Sequence, residues 1–193
     1  MRESINAIPG TYHLANNPHL YEPQRENNFE LHVMGLENLV RINSGELDDD
    51  SIIRNAGSTI NFSVVTSTVP SFTQDPIEIG YGNNQIKFAS KPIWSTAPIT
   101  INDYVGADGK TILLSWQALS YNPKTQKVGN AADYKKIAYL HEYTPDYKLV
   151  RSWKLVGCWL SSVTQENFNM EGSGKKIVSA NMVYDYAIME VAD

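Results

Sequence analysis

The sequence predicts a mainly β protein, an antiparallel β-sandwich or partly closed barrel with one flanking α-helix. Three observations carry that class. First, the stretch from Tyr134 to Trp159 alternates in two halves around a turn at Thr144-Pro145-Asp146. Ile137, Tyr139, His141 and Tyr143 oppose Ala138, Leu140 and Glu142; then Leu149, Arg151, Trp153 and Leu155 oppose Val150, Ser152, Lys154 and Val156. Period-two patterning split by a turn is the mark of a β-hairpin, and with neither face purely polar this one suits cover on both sides. Second, short runs of β-branched and aromatic residues recur between Gly, Pro and Asn punctuation, giving about seven or eight strands. Third, one segment alone, Asp108 to Asn122, repeats its apolar residues at helical spacing. Many strands around a single helix point to a sheet closing on itself, not to βαβ layers.

The elements follow in order. Met1 to Asn28 is polar, broken by Pro9-Gly10, Asn16-Asn17-Pro18 and Glu22-Pro23, and lacks periodicity. It reads as an arm (1–28) ahead of a single domain (29–193), with Tyr12, Leu14, Leu20 and Tyr21 available to bury against a partner. Phe29 to Val33 alternates as a strand, and Gly35 to Ile42 either extends it or makes one helical turn. Asn43 to Gly57 holds Asp48, Asp49 and Asp50 in a row and reads as an exposed loop with an apolar Ile52-Ile53 tip. Ser58 to Val69 is the strongest single strand by propensity, because β-branched side chains are stiff and suit a pleated surface. Pro70 and Pro76 bracket a loop. Ile77 to Tyr81 and Gln85 to Ala89 then pair across Gly82-Asn83-Asn84 as a tight hairpin. Lys91 to Val105 is extended, with Ile99 and Ile101 alternating. In the helix, Ile112, Leu113, Trp116, Leu119 and Ser120 share a spacing, Asp108 can cap the start, and Asn122-Pro123 stops it. Polar loops span Lys124 to Asp133 and Thr164 to Lys176, and Ile177 to Val191 forms one long final strand.

Composition narrows the function. The 193 residues suffice for one domain with a real core. Charged residues are only 19% of the chain while 11 Tyr and 4 Trp are present, a balance suited to surfaces that meet protein. Net charge is −5, and the lysine pairs Lys135-Lys136 and Lys175-Lys176 are isolated, so nothing here neutralises phosphates as attractive nucleic-acid binding requires. The single cysteine, Cys158, excludes an internal disulfide and sits in an apolar run that suits a buried, inert thiol. No apolar segment has signal-peptide or membrane-span length, which points to synthesis in a cytoplasm and no membrane partner.

Motifs for chemistry are weak. Gly106-Ala107-Asp108-Gly109-Lys110-Thr111 ends as a phosphate-binding loop does, but Tyr104 stands where that loop needs its first glycine. A turn and helix cap is the better reading. His13, His19, His32 and His141 have no metal-site spacing, the Asp48-Asp49-Asp50 run lacks a calcium loop's alternation, and no nucleophile comes with an oriented base. No catalytic, cofactor or metal site is expected.

Tyr143-x-Pro145-Asp146, followed by Arg151-x-Trp153-x-Leu155-x-Gly157-Cys158-Trp159, resembles the tail tube proteins of contractile-tailed bacteriophages. Phe29-Glu30-Leu31, Pro70, Ile86-Lys87-Phe88-Ala89, the helix with Trp116, and Val183-Tyr184-Asp185-x-Ala187 agree in order, so the likeness runs from about Phe29 to Ala187. The arm of 1–28 and the stretch 43–57 are particular to this chain. The resemblance implies a β-sandwich subunit with a flanking helix, six of which join sheet edges into a ring around a continuous inner β-barrel. Rings stack into a hollow tube inside a contractile sheath, with a baseplate initiator and a tail terminator at its ends. The tube holds the tape-measure protein and later passes DNA. The location implied is the virion tail, assembled in the host cytoplasm. Tubes of bacteriocins and type VI secretion are related and carry other cargo.

On that basis Asp48, Asp49, Asp50, Ile52 and Ile53 are expected to contact the next ring. Tyr143, Asp146, Arg151 and Trp153 are expected on an inter-subunit or lumen hairpin, and the outer side of the Trp116 helix is left for the sheath. A carbohydrate-binding β-sandwich, with surface Trp and Tyr stacked on sugars, is the alternative of another class.

Overall fold

The alternating segments assemble as one sheet wound around a single long strand. A computed structural model describes residues 23–37, 39–43, 46–53, 56–106 and 108–191, and only the backbone of 40–43 and 46–52. In chain order the strands are β1 (Phe29–Met34), β2 (Leu39–Asn43), β3 (Glu46–Ile53), β4 (Val64–Thr66), β5 (Phe72–Thr73), β6 (Ile77–Tyr81), β7 (Asn84–Phe88) and β8 (Ile93–Trp94). They continue as β9 (Ala97–Asn102), β10 (Tyr121–Asn122), β11 (Lys127–Val128), β12 (Lys136–Tyr143), β13 (Leu149–Gln165), β14 (Ile177–Val183) and β15 (Tyr186–Val191). The helices are α1 (Ala56–Ser63), α2 (Gly109–Ser120) and the single turn α3 (Ala131–Tyr134).

Seven strands pair antiparallel in the order β1-β12-β13-β14-β9-β4, with β15 also against β13. The sheet curls into a half-barrel, which is the mainly β, partly closed class the sequence predicts. The strand β13 belongs to both halves of the curl. Arg151 to Val156 pair with β15, and Trp159 to Gln165 pair with β14. Between them sits Gly157, at φ +74°, skipped by the register with β12 as a bulge residue. A bulge with glycine in the left-handed region bends its strand and re-aims the following side chains. The core fills the concave side. Leu31, Val33, Ala138, Leu140, Leu155, Ile99, Ile101, Val178 and Met182 of the sheet bury against Ile112, Leu113 and Trp116 of α2. Trp116 is 1% exposed and donates its indole N–H to the Tyr134 carbonyl at 2.9 Å.

Five expectations are corrected. The Ser58–Val69 strand is mostly the helix α1, leaving only three residues of β4. Ala56, Ile60 and Ser63, spaced by four and three, are fully buried on one side of it. Burying Ile60 contributes about 2 kcal/mol, which outweighs the few tenths per residue by which β-branched residues disfavour a helix. The Asn43–Gly57 stretch is not a loop, since β2 and β3 pair as a ribbon in register Asn43↔Glu46 to Leu39↔Ile53. Gly35, at φ +83°, ends β1, so the chain neither extends it nor turns helical before β2. The long final strand is broken once, at Tyr184-Asp185, opposite the Gly157 bulge, where the Asp185 N–H bonds the Val156 carbonyl at 2.9 Å. The loop expected over Lys124 to Asp133 carries β11, paired back to β10 just before it, and the start of α3.

Candidate assembly surfaces

The β12–β13 hairpin has the predicted form. Its turn closes with the Tyr147 N–H on the Thr144 carbonyl and the Thr144 N–H on the Lys148 carbonyl, both at 2.9 Å, and Tyr147 at φ +59° completes it. A type I turn followed by a left-handed residue is a standard hairpin connection. Asp146 is exposed at this tip. On the inward side, Glu142 gathers the hairpin's other expected residues. It accepts from the Trp153 indole N–H at 3.0 Å and from the Gln24 amide at 2.7 Å, and it pairs with Arg151 at 3.1 Å. Arg151 reaches on to Gln24 Oε1 at 3.0 Å, which ties residues just before β1 to the hairpin. Arg151 and Trp153 are therefore held by their own chain.

The outward side carries a cluster that sequence spacing hid. Register sets His32 beside Tyr139 and Glu30 beside His141. The imidazoles of His32 and His141 meet edge-on at 5.4 Å. Glu30 bonds His32 Nε2 and accepts from the Tyr143 hydroxyl, each at 3.0 Å. The His32 hydrogen bond leads in holding Glu30 below the usual carboxylate range; burial opposes it and the Tyr143 bond assists. Burial, joined by repulsion from His32, pushes His141 below the usual histidine value. Burial and the Glu30 bond keep Tyr143 protonated to higher pH. The only signal for this cluster was period two on two separate strands, and pairing them needs the register.

Other expectations resolve locally. Asp108 caps α2, accepting from the Thr111 N–H at 2.9 Å, and a Cβ at Gly109 would lie 2.7 Å from Ile101 Cδ1. The Gly-Lys-Thr run is a helix start packed on the core. Cys158 is buried, and that burial pushes its thiol up to about 12. No helix among the described residues is long and apolar enough to cross a membrane.

Two ribbons stand off the sheet, and among the described residues three sheet edges are left unpaired. In the β2–β3 ribbon, Asp48, Asp49, Asp50 and Ile52 lie on β3, their side chains outside the described residues. Ile53, at its base, packs against the core. The second ribbon spans residues 69–95, with β5–β8 at its base and β6–β7 at its tip. Every residue from 71 to 89 is exposed. Its root is fixed by buried Pro70 and by Trp94, whose ring meets Phe72 at 4.9 Å and Tyr184 at 5.8 Å. The sheet itself ends at β1, β4 and β15, and a groove of about 840 Å³ lies between β1 and β4, lined by Phe29, Val64, Val69 and Leu140.

This arrangement has solved counterparts. A chain of the sheath–tube complex of an extracellular contractile injection system, PVC, superposes with a TM-score of 0.62 at 16% identity, covering 94% of this chain and 98% of that one. A chain of the same system's sheath/tube terminator gives 0.61 at 16% identity, over 89% and 99%. One from the six-fold symmetrised baseplate of the anti-feeding prophage gives 0.58 at 8% identity, over 88% and 96%. The chain carries the fold of contractile-injection tube proteins. No protein-family model and no curated protein matches the sequence.

Proposed function

We propose that this chain is the inner-tube subunit of a contractile injection device. Copies close into six-membered rings around a continuous β-barrel, and the rings stack into a hollow tube inside a sheath, with initiator and terminator proteins at the ends. The observation that carries this is the tube fold left open, a half-barrel whose edges β1, β4 and β15 have no further strand beside them among the described residues. Unpaired edges invite aggregation, and joining them between copies removes the hazard. A side-by-side cyclic contact is heterologous and closes, whereas the axial contact stays open and propagates. The β2–β3 ribbon, with Asp48, Asp49, Asp50 and Ile52 along β3 and Ile53 anchoring its base, serves the axial contact. The hairpin carrying Tyr143, Asp146, Arg151 and Trp153 sits towards the neighbouring subunit or the lumen.

A phage tail tube, in a virion, would hold a tape-measure protein and pass DNA, and a net charge of −5 gives a polyanion few sites on which to pause. The likeness to extracellular injection systems favours a second reading of the same device, a tube with different cargo. The role is structural, not enzymatic. Negative-stain microscopy of the purified protein, with its baseplate initiator added, tests the shared claim. Six-fold rings or hollow tubes are expected; a subunit that stays monomeric with initiator present would overturn it.

A further inference from the structure

The ribbon of residues 69–95 is amphipathic, and its apolar side has no cover among the described residues. Register places Ile77 opposite Phe88, Ile79 opposite Ile86 and Tyr81 opposite Asn84 on one side. Glu78, Gly80, Gln85 and Lys87 occupy the other, where Glu78 and Lys87 bridge at 2.9 Å. Ile77, Ile79, Tyr81, Ile86 and Phe88 are all exposed, Ile79 by 53% and Tyr81 by 72%. Two strands alone are marginal in water, and an apolar/polar alternation is the pattern of a sheet with one side packed on a second layer.

A matching surface lies elsewhere on the chain. On the convex side of the curl, register aligns Met34, Ile137, Val156 and Tyr186 in one row, a residue each from β1, β12, β13 and β15. Met34, Ile137 and Tyr186 are exposed, Ile137 by 38%, and Ile188 beside the row is exposed too. The next row on the same face, His32, Tyr139, Lys154 and Ile188, is mixed, and the one beyond it, Glu30, His141, Ser152 and Glu190, is polar, which bounds the apolar strip. The row crosses three strand spacings, about 14 Å. The apolar side of β6 runs four residue steps from Ile77 to Tyr81, also about 14 Å. The two strips agree in length when the ribbon lies across the strands, the orthogonal mode of sheet packing.

Resting on the tube reading above, we infer that the apolar side of the β6–β7 ribbon of one copy seats across the Met34–Ile137–Val156–Tyr186 row of a second copy. Ribbon and row are different patches, so every copy gives one contact and receives one, as a closing ring requires. The Glu78–Lys87 side is left facing water.

Ile79→Asp on the ribbon and Ile137→Asp on the row test this, with Tyr186→Asp on the edge strand as a second row variant should Ile137→Asp fail to fold. Circular dichroism checks that each folds, and sedimentation velocity reads assembly with initiator present. Each variant alone is expected to remain a folded monomer. A one-to-one mixture of ribbon and row variants retains one intact contact per pair and is expected to give dimers that grow no further. Assembly by Ile79→Asp alone, or a mixture that stays monomeric, overturns the docking while wild-type tubes leave the tube reading standing. Wild-type protein that never assembles removes the reading itself.

Discussion

At the scale of single residues, the outward cluster on β1 and β12 makes stability depend on acid. His141 titrates below the ordinary histidine value of 6.5, because burial and His32 disfavour its cation although Glu30 favours it. Below pH 6.5 the unfolded chain takes up a proton that the folded one resists, so stability falls with pH until the folded value is passed. Glu30 acts at lower pH with the same sign. Its folded value lies below 4.5, through the His32 bond first, so its stabilisation is present above 4.5 and is lost as pH falls through the folded value. Urea midpoints measured across pH should therefore decline from pH 7 to 5 and decline again below 4.5. His141→Gln should flatten the first decline and keep the second. Equal slopes between pH 7 and 5 in both proteins would refute the assignment. The sequence set His141 on a strand of the hairpin, where it lies. It did not bring His32 to it, since 109 positions separate two residues that meet only through the β1–β12 register. Arg151 and Trp153 were visible as neighbours on one side of the hairpin, whereas Glu142, which holds both, looked like ordinary strand alternation.

At the scale of elements, the two bent strands depend on Gly157. A Cβ there would lie 2.2 Å from Asp185 Oδ2, and φ +74° already disfavours any side chain. The left-handed backbone alone costs about 1–2 kcal/mol for a non-glycine residue. Asp185 must also move, which loosens its 2.8 Å bridge to Lys135. Gly157→Ala should lose more than the backbone share in chemical denaturation, and Asp185→Ala in the same chain should recover the excess. A double variant no better than the sum of its singles would show that the side-chain clash is absent. The bulge was not legible, because a glycine inside an apolar run carries no local mark of which strand it faces. The β12–β13 hairpin and α2 were legible because their periods differ and their turns are chemically plain, Thr-Pro-Asp for one and Asp108 with Asn122-Pro123 for the other. Ser58 to Val69 misled for the opposite reason. Propensity dominated its reading, yet Ala56, Ile60 and Ser63 already had helical spacing, and burial against β1 and α2 decided the outcome.

At the scale of the whole molecule, stability is unevenly spread. The sheet around β13 shares one buried cluster, while residues 71–89 project with no buried side chain. A chain built this way is a firm body carrying an extension whose side chains have no buried side among the described residues. Opening of a structure is cheapest where few apolar contacts would be lost, and a two-strand ribbon held by its own backbone bonds is such a place. Hydrogen exchange separates the two populations. In the dilute subunit, amides of 77–88 should exchange far faster than those of Ala138 to Leu140 and Ser152 to Leu155. In assembled tubes the ribbon's amides should slow by orders of magnitude, while those of the central hairpin, already protected, change little. Ribbon amides that exchange equally fast in subunit and tube would mean that the apolar side stays wet. Its alternation would then need a partner outside the tube.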